Sequence, residues 1–153
     1  MNAAYYDANY LFKLQCVEVG SAEVRAHAAN VKVLFCSLHG RAEFASAAHR
    51  KVRERAATPA QLKLLLAQIH ADNAADALHW LPISDAHLAR IESVFATAPA
   101  TTFLRGADAL HLASAAEHGF TEIHSNDRHL LAAAPLFGLR GVNVIPELSP
   151  ASA

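Results

Sequence analysis

The sequence predicts an α/β fold built on a mostly parallel sheet of four or five strands. Short apolar runs recur along the chain, and helix-length segments with recognisable start and stop signals separate them. No internal repeat and no linker rich in Pro, Gly and Ser breaks the alternation. Strands joined through helices require right-handed crossovers, which set the strands parallel and cover both faces of the sheet. A length of 153 residues gives room for one domain with one core.

Ala3 to Asp7 is an apolar run with two tyrosines that ends in an acid, which suits a buried strand. Ala8 to Gln15 reads as a short helix, and Ser21 as the cap of another through Ala29. Val31 to Cys36 is the second predicted strand. Ser37 is then expected to open a long helix with Leu38, Ala42, Ala45 and Ala48 on one face. Thr58 as N-cap and Pro59 as first residue start a helix to about Ala71. Leu78 to Pro82 is the third strand, and Ser84 begins a helix to about Ala96. Gly106 to His118 is helical and stops at Gly119. Phe120 to Ser125 is the fourth strand, Asp127 to Ala134 a helix and Gly141 to Ile145 the fifth strand. These elements place a single domain at residues 1–146, with 147–153 read as a frayed tail.

Composition narrows the function classes. A hydrophobic content of 53% with 18% charged residues is globular, with much of the apolar excess in alanine. No apolar run approaches the roughly 18 residues of a membrane span. The stretch from Met1 to Asp7 has no basic start followed by an apolar segment, so a cytoplasmic protein is expected. Cys16 and Cys36 form no metal spacing and read as reduced thiols. The ten histidines are scattered without an HExxH or HxxxH pair and read as packing and surface residues. A net charge of −1 argues against a protein that coats nucleic acid, yet it leaves room for an enzyme that grips a few phosphates through metal. Neither GxGxxG nor GxxxxGK[ST] occurs, which disfavours nucleotide-binding enzymes.

Four acids stand at suggestive places. Asp7 ends the first strand and Asp127 follows the fourth, so both fall at carboxyl ends, where parallel sheets bind ligands. Asp108 lies in the first turn of its helix, and Glu43 lies in the long helix one turn beyond Gly40. Each also has a plain role: Asp127 as a helix cap, Asp108 as a dipole partner, Glu43 as an exposed helical glutamate. Asp7 fits a plain role least, because a buried charge needs a partner. Clustered carboxylates repel one another unless cations sit among them, and hard cations such as Mg²⁺ and Mn²⁺ take oxygen ligands. Phosphodiester hydrolysis suits such a site.

The segment Tyr5-Tyr6-Asp7-Ala8-Asn9-Tyr10-Leu11-Phe12-Lys13-Leu14, with Arg41-Ala42-Glu43, Asp108-Ala109-Leu110-His111-Leu112-Ala113 and Ser125-Asn126-Asp127-Arg128-His129-Leu130, resembles PIN domains. The nearest likeness is to VapC-type toxins of bacterial toxin–antitoxin pairs. The resemblance implies a three-layer α/β/α sandwich and an endoribonuclease needing Mg²⁺ or Mn²⁺. Asp7, Glu43, Asp108 and Asp127 would form its acidic, metal-holding quartet. Ser125 would orient the last carboxylate, and Asn9 stands where the family often has Ser or Thr, still able to bond a carboxylate or metal-bound water. The resemblance also implies a homodimer, silenced by a cognate antitoxin, that acts on RNA.

Several secondary readings stay open. The basic stretch from His49 to Arg55 puts His49, Arg50 and Arg53 on one helical side and Lys51 and Arg55 on another, either as a solvated face or as phosphate contacts. Arg128, beside Asp127, is a candidate RNA phosphate contact, and Trp80 reads as core. One alternative function is a catalytically inactive PIN-like module that binds nucleic acid or protein. Another is a haloacid-dehalogenase-type phosphatase, against which Asn9 speaks, because an amide cannot serve as the acid two residues after a nucleophilic Asp7.

Overall fold

The computed structural model describes residues 2–146; the expected tail lies outside them. Five short strands, β1 (Ala3–Tyr5), β2 (Val33–Ser37), β3 (Leu78–Leu81), β4 (Glu122–His124) and β5 (Arg140–Val142), run parallel in every registered pair. β1, β2 and β3 pair in that order, and β4 pairs with β5. A single parallel bridge between Tyr6 and His124 joins the two groups, giving the spatial order β3-β2-β1-β4-β5. The order of connection therefore reverses between β1 and β4, the kind of switch point at which open α/β sheets form a crevice.

Among the described residues seven α-helices cover the sheet: α1 (Ala8–Gln15), α2 (Ser21–Ala28), α3 (Gly40–Arg53), α4 (Pro59–Ala74), α5 (Asp85–Thr97), α6 (Gly106–Glu117) and α7 (Arg128–Ala133). Strand alternation sorts them into two outer layers. Ala4, Tyr6, Cys36 and Leu78 point to one face and pack with Leu11 and Phe12 of α1, Val24 of α2, Phe44 and Ala48 of α3, and Ile69 of α4. Tyr5 and Ile123 point to the other and pack with Leu112 and Ala113 of α6 and Leu130 of α7, with Ile91 and Val94 of α5 behind. The result is the three-layer α/β/α sandwich.

Some boundaries move for identifiable reasons. Ser37 does not open α3. It ends β2, and Leu38 N still bonds Leu81 O at 2.8 Å as an extension of the sheet. α3 starts at Gly40, and its buried stripe is Gly40, Phe44 and Ala48 rather than Leu38, Ala42 and Ala45. Gly40 is required there: a Cβ would sit 2.5 Å from Cys36 Sγ. Ser21 is the first residue of α2 and not its cap. Gly20, at φ 86°, takes that position, while the Ser21 hydroxyl accepts from Glu18 N and donates to Cys16 O. β5 stops at Val142 because Asn143 turns the chain, accepting from the Tyr10 hydroxyl and from Ile145 N. Thr58 and Gln61 close a reciprocal capping box at the start of α4.

Phe44 is fully buried against Phe12, with ring centroids 5.6 Å apart. Phe44→Ala is expected to cost about 3–5 kcal/mol of stability, and Thr58→Ala about 1 kcal/mol. Urea unfolding of both variants checks this; equal losses would mean that Phe44 does not seat α3.

Candidate active site

Asp7 follows the bridge residue Tyr6, and its backbone N–H donates to His124 O at 3.1 Å. Its carboxylate caps α1, Oδ1 accepting from Tyr10 N at 2.9 Å, and Oδ2 accepts from Ser125 Oγ at 2.5 Å. At 3% exposure it is nearly dry. Burial pushes its carboxyl up to about 6, and the charge of Glu43 adds to this; the charge of nearby His111 and the bonds from Ser125 and Tyr10 hold the rise down. Ser125, just past β4, was expected to steady the Asp127 carboxylate. It bonds the Asp7 carboxylate instead, and touches Asp127 through the backbone, accepting from Asp127 N at 2.9 Å.

Asp108 is buried in the first turn of α6, and its Oδ2 accepts from Arg105 Nε at 2.9 Å. Asp127 is the N-cap of α7: Oδ1 accepts from His129 N and Leu130 N, and Oδ2 accepts from Arg105 Nη2 at 3.1 Å. The plain capping role and the site role therefore coexist in one carboxylate. Arg105 spans both acids with a largely exposed side chain, so it is free to move.

Glu43 rises from the first turn of α3, where its Oε2 lies 2.6 Å from His111 Nε2 and 3.6 Å from His39 Nε2. Burial alone would raise its carboxyl, but the His111 hydrogen bond and the charges of His111, His39 and Arg105 outweigh it and bring the net shift down. His111 Nδ1 reaches the Tyr5 hydroxyl at 3.1 Å, and that hydroxyl accepts from Ser37 N at 3.0 Å. His39 lies beside His111, its ring tilted by 45° and the ring centroids 4.2 Å apart. Burial first, and then His111, holds the His39 ring down to about 4.

Asp7, Glu43 and Asp108 open onto one cleft of about 670 Å³, with Asn9 on its exposed rim. Arg50, Arg53 and Arg105 share the lining. Asp127 is not part of that lining and reaches the cluster through Arg105. Of the basic stretch, Arg50 and Arg53 face the cleft, whereas Lys51 turns toward Glu18 at 3.5 Å. Arg128, beside Asp127, is exposed and lies outside the cleft lining. Trp80 packs half-buried against the core, as expected. Cys36 is buried and Cys16 half-buried, both free.

Reading residue types one at a time passed over three members of this site: Arg105, His39 and His111. The signal was spacing. Arg105 and His111 lie three residues to either side of Asp108, and His39 lies four before Glu43. Within α6 the offset from Asp108 to His111 puts both side chains on one face, while Arg105 and His39 stand at the N-cap positions just before the first turns that carry Asp108 and Glu43.

A family model described as PIN domain matches residues 4–135, a stretch that holds all four acids and runs from the second residue of β1 through α7. No curated protein matches the chain. PIN domains are generally metal-dependent nucleases, and no described helix is long and apolar enough to cross a membrane. With the match covering most of the chain and a parallel α/β/α fold beneath it, the protein belongs to the PIN domain family.

Proposed function

We propose that this chain is an endoribonuclease dependent on Mg²⁺ or Mn²⁺, the toxin of a type II toxin–antitoxin pair, acting as a cytoplasmic homodimer held in check by a cognate antitoxin. One observation carries the nuclease reading: three carboxylates and three arginines from distant parts of the chain line the same cleft. The toxin, dimer and antitoxin parts rest on the likeness of the motifs around Asp7, Glu43, Asp108 and Asp127 to VapC-type toxins.

The donor set fits a hard divalent cation, since the three acids that line the cleft, Asp7, Glu43 and Asp108, all offer oxygen ligands. Asp7, Glu43 and Asp108 would hold the ion, with Asp127 as fourth member. When bound, the ion lowers the pKa of an attacking water and neutralises the charge that develops on phosphate. Ser125 and the Tyr10 N–H keep the Asp7 carboxylate from turning. His111 Nε2 holds Glu43 in place from behind. Arg50 and Arg53 receive backbone phosphates along α3, and Arg105 exchanges its two carboxylates for a phosphate when RNA enters. Asn9 offers its amide at the rim.

A second reading, a PIN-like binding module without catalysis, draws on one feature: each acid already has a partner within the protein, in Arg105, His111 or Ser125. Metal-dependent cleavage separates the two. Purified chain should cut a mixed RNA pool with Mg²⁺ or Mn²⁺ and not with EDTA. Asp7→Asn and Asp108→Asn should each lower the rate at least about a hundredfold. Inert wild type that also binds neither metal would leave the binding module as the function.

RNA binding in EDTA should weaken with salt, and Arg50→Gln or Arg53→Gln should each flatten the log–log salt slope by about 0.7. An unchanged slope would remove these arginines from the RNA path.

Asp7 also predicts how metal-free stability responds to pH. Its folded carboxyl sits at about 6 against an ordinary 3.8, so the folded chain holds the proton more tightly than the unfolded chain. The associated stability is complete below about 3.8 and is lost as pH rises through about 6. At about 1.4 kcal/mol per pH unit, this is on the order of 3 kcal/mol. In EDTA, Asp7→Asn should therefore melt above wild type near neutral pH, with the gain disappearing below about pH 4. A gain that is the same at both pH values would show that deprotonation of Asp7 is not the cost.

A further inference from the structure

The surroundings of Glu43 hold more ligand chemistry than an all-oxygen site needs. His39 and Glu43 are four residues apart at the start of α3, on one face, and His111 reaches them from α6. Both Nε2 atoms converge on the same carboxylate oxygen, at 2.6 Å for His111 and 3.6 Å for His39. The three donor atoms lie within 4.8 Å of one another. In a tetrahedral site with bonds near 2.05 Å, ligand atoms stand about 3.3 Å apart, so the two spacings bracket what an ion between them requires.

The far sides of the rings point the same way. His39 Nδ1 is 2.8 Å from Ser37 Oγ, and His111 Nδ1 is 3.1 Å from the Tyr5 hydroxyl. A hydroxyl both donates and accepts, so each ring can carry its proton on Nδ1 and present a lone pair at Nε2. Metal-ligating histidines are ordinarily held through their second nitrogen in this way. For His111 the tautomer change has a ready outlet. Tyr5 would accept from both Ser37 N and His111 Nδ1 and turn its own O–H to donate a hydrogen bond to Ser114 Oγ, which is fully buried, close by, and without a hydrogen-bond partner among the described residues. For His39, the only bond given up is the one from Nε2 to Ala107 O at 2.9 Å, and Ala107 is exposed to water.

We infer that His39, Glu43 and His111 form a site for a borderline transition-metal cation, Zn²⁺ first among them, bound by two imidazole nitrogens and one carboxylate oxygen. Imidazole favours Zn²⁺ over Mg²⁺, and a three-residue set leaves a fourth position for water or a phosphate oxygen. An ion here takes Glu43 away from the oxygen cluster of Asp7 and Asp108, so Zn²⁺ opposes cleavage supported by Mg²⁺. The binding itself is independent of the nuclease reading, and its test does not use activity.

The test is a titration of the untagged, metal-free full chain with Co²⁺ as an optical probe, followed by Zn²⁺. One Co²⁺ per chain should give the visible absorption of a low-coordinate imidazole site, and Zn²⁺ should bleach it. In wild-type protein, Zn²⁺ should shift the ring-nitrogen resonances of His39 and His111 and leave the other histidines in place. His39→Gln and His111→Gln should each weaken Zn²⁺ at least about tenfold, while Asp108→Asn leaves its affinity unchanged. The site is refuted if Zn²⁺ does not bind, if other histidines shift instead, if His39→Gln keeps wild-type affinity, or if Asp108→Asn loses as much as the histidine variants. The wild-type resonances decide the matter even where a variant fails to fold.

Discussion

A carboxylate buried where two halves of a sheet meet has to be satisfied from both halves at once, and Asp7 is. β1 and β4 share a single bridge, Tyr6 to His124, followed by the bond from Asp7 N to His124 O. Beyond that point Ser125 takes over from the ladder. Its hydroxyl donates to Asp7 Oδ2 and accepts from Asp127 N, while Asp7 Oδ1 caps α1. The seam between the two sheet segments, the first turn of α1 and the first turn of α7 thus share a few polar atoms. Leaving one buried partner unpaired typically costs about 1–3 kcal/mol, which is why a serine on one side and an aspartate on the other have to arrive together.

Around this junction the other charges balance without outside help. Arg105 spans Asp108 and Asp127, and His111 holds Glu43. The two arrangements differ in stiffness. Arg105 has a mostly exposed side chain, so its ion pairs are cheap to exchange. His111 is buried and backed by Tyr5, which makes Glu43 the better fixed acid. One side of the cluster is thus set to rearrange and the other to stay.

The sequence made the layered fold legible because its signals are local. Thr58-Pro59 started a helix, Gly119 ended one at φ 79°, and the apolar runs at Ala3, Leu78 and Phe120 became parallel strands. What it did not show depended on contacts between distant residues. Ser37 looked like a helix start, yet it ends β2 with its N–H bonded to the Tyr5 hydroxyl, a contact that local pattern cannot reveal. Gly40 and Phe44 outrank Ala42 and Ala45 because Cys36 lies beneath them. In the candidate site, Asp7, Glu43 and Asp108 could be named from sequence, and the structure places them on one cleft. Asp127 lies outside that lining and joins through Arg105 and, by its backbone N–H, through Ser125, and His39 and His111 come from two separate segments that no single motif contains.

The turn after β5 has a consequence in time. Asn143 accepts from the hydroxyl of Tyr10, 133 positions earlier, and Ile145 sits over Gly20, where no side chain would fit beneath it. The face formed by α1 and α2 is therefore sealed by residues more than a hundred positions further along the chain. A nascent chain carrying Asp7 and Glu43 already has part of the cleft, yet the helix that Asp7 caps has no lid until residue 145 is free. Closure of that face waits for the segment after β5, long after α1 and α2 themselves are complete.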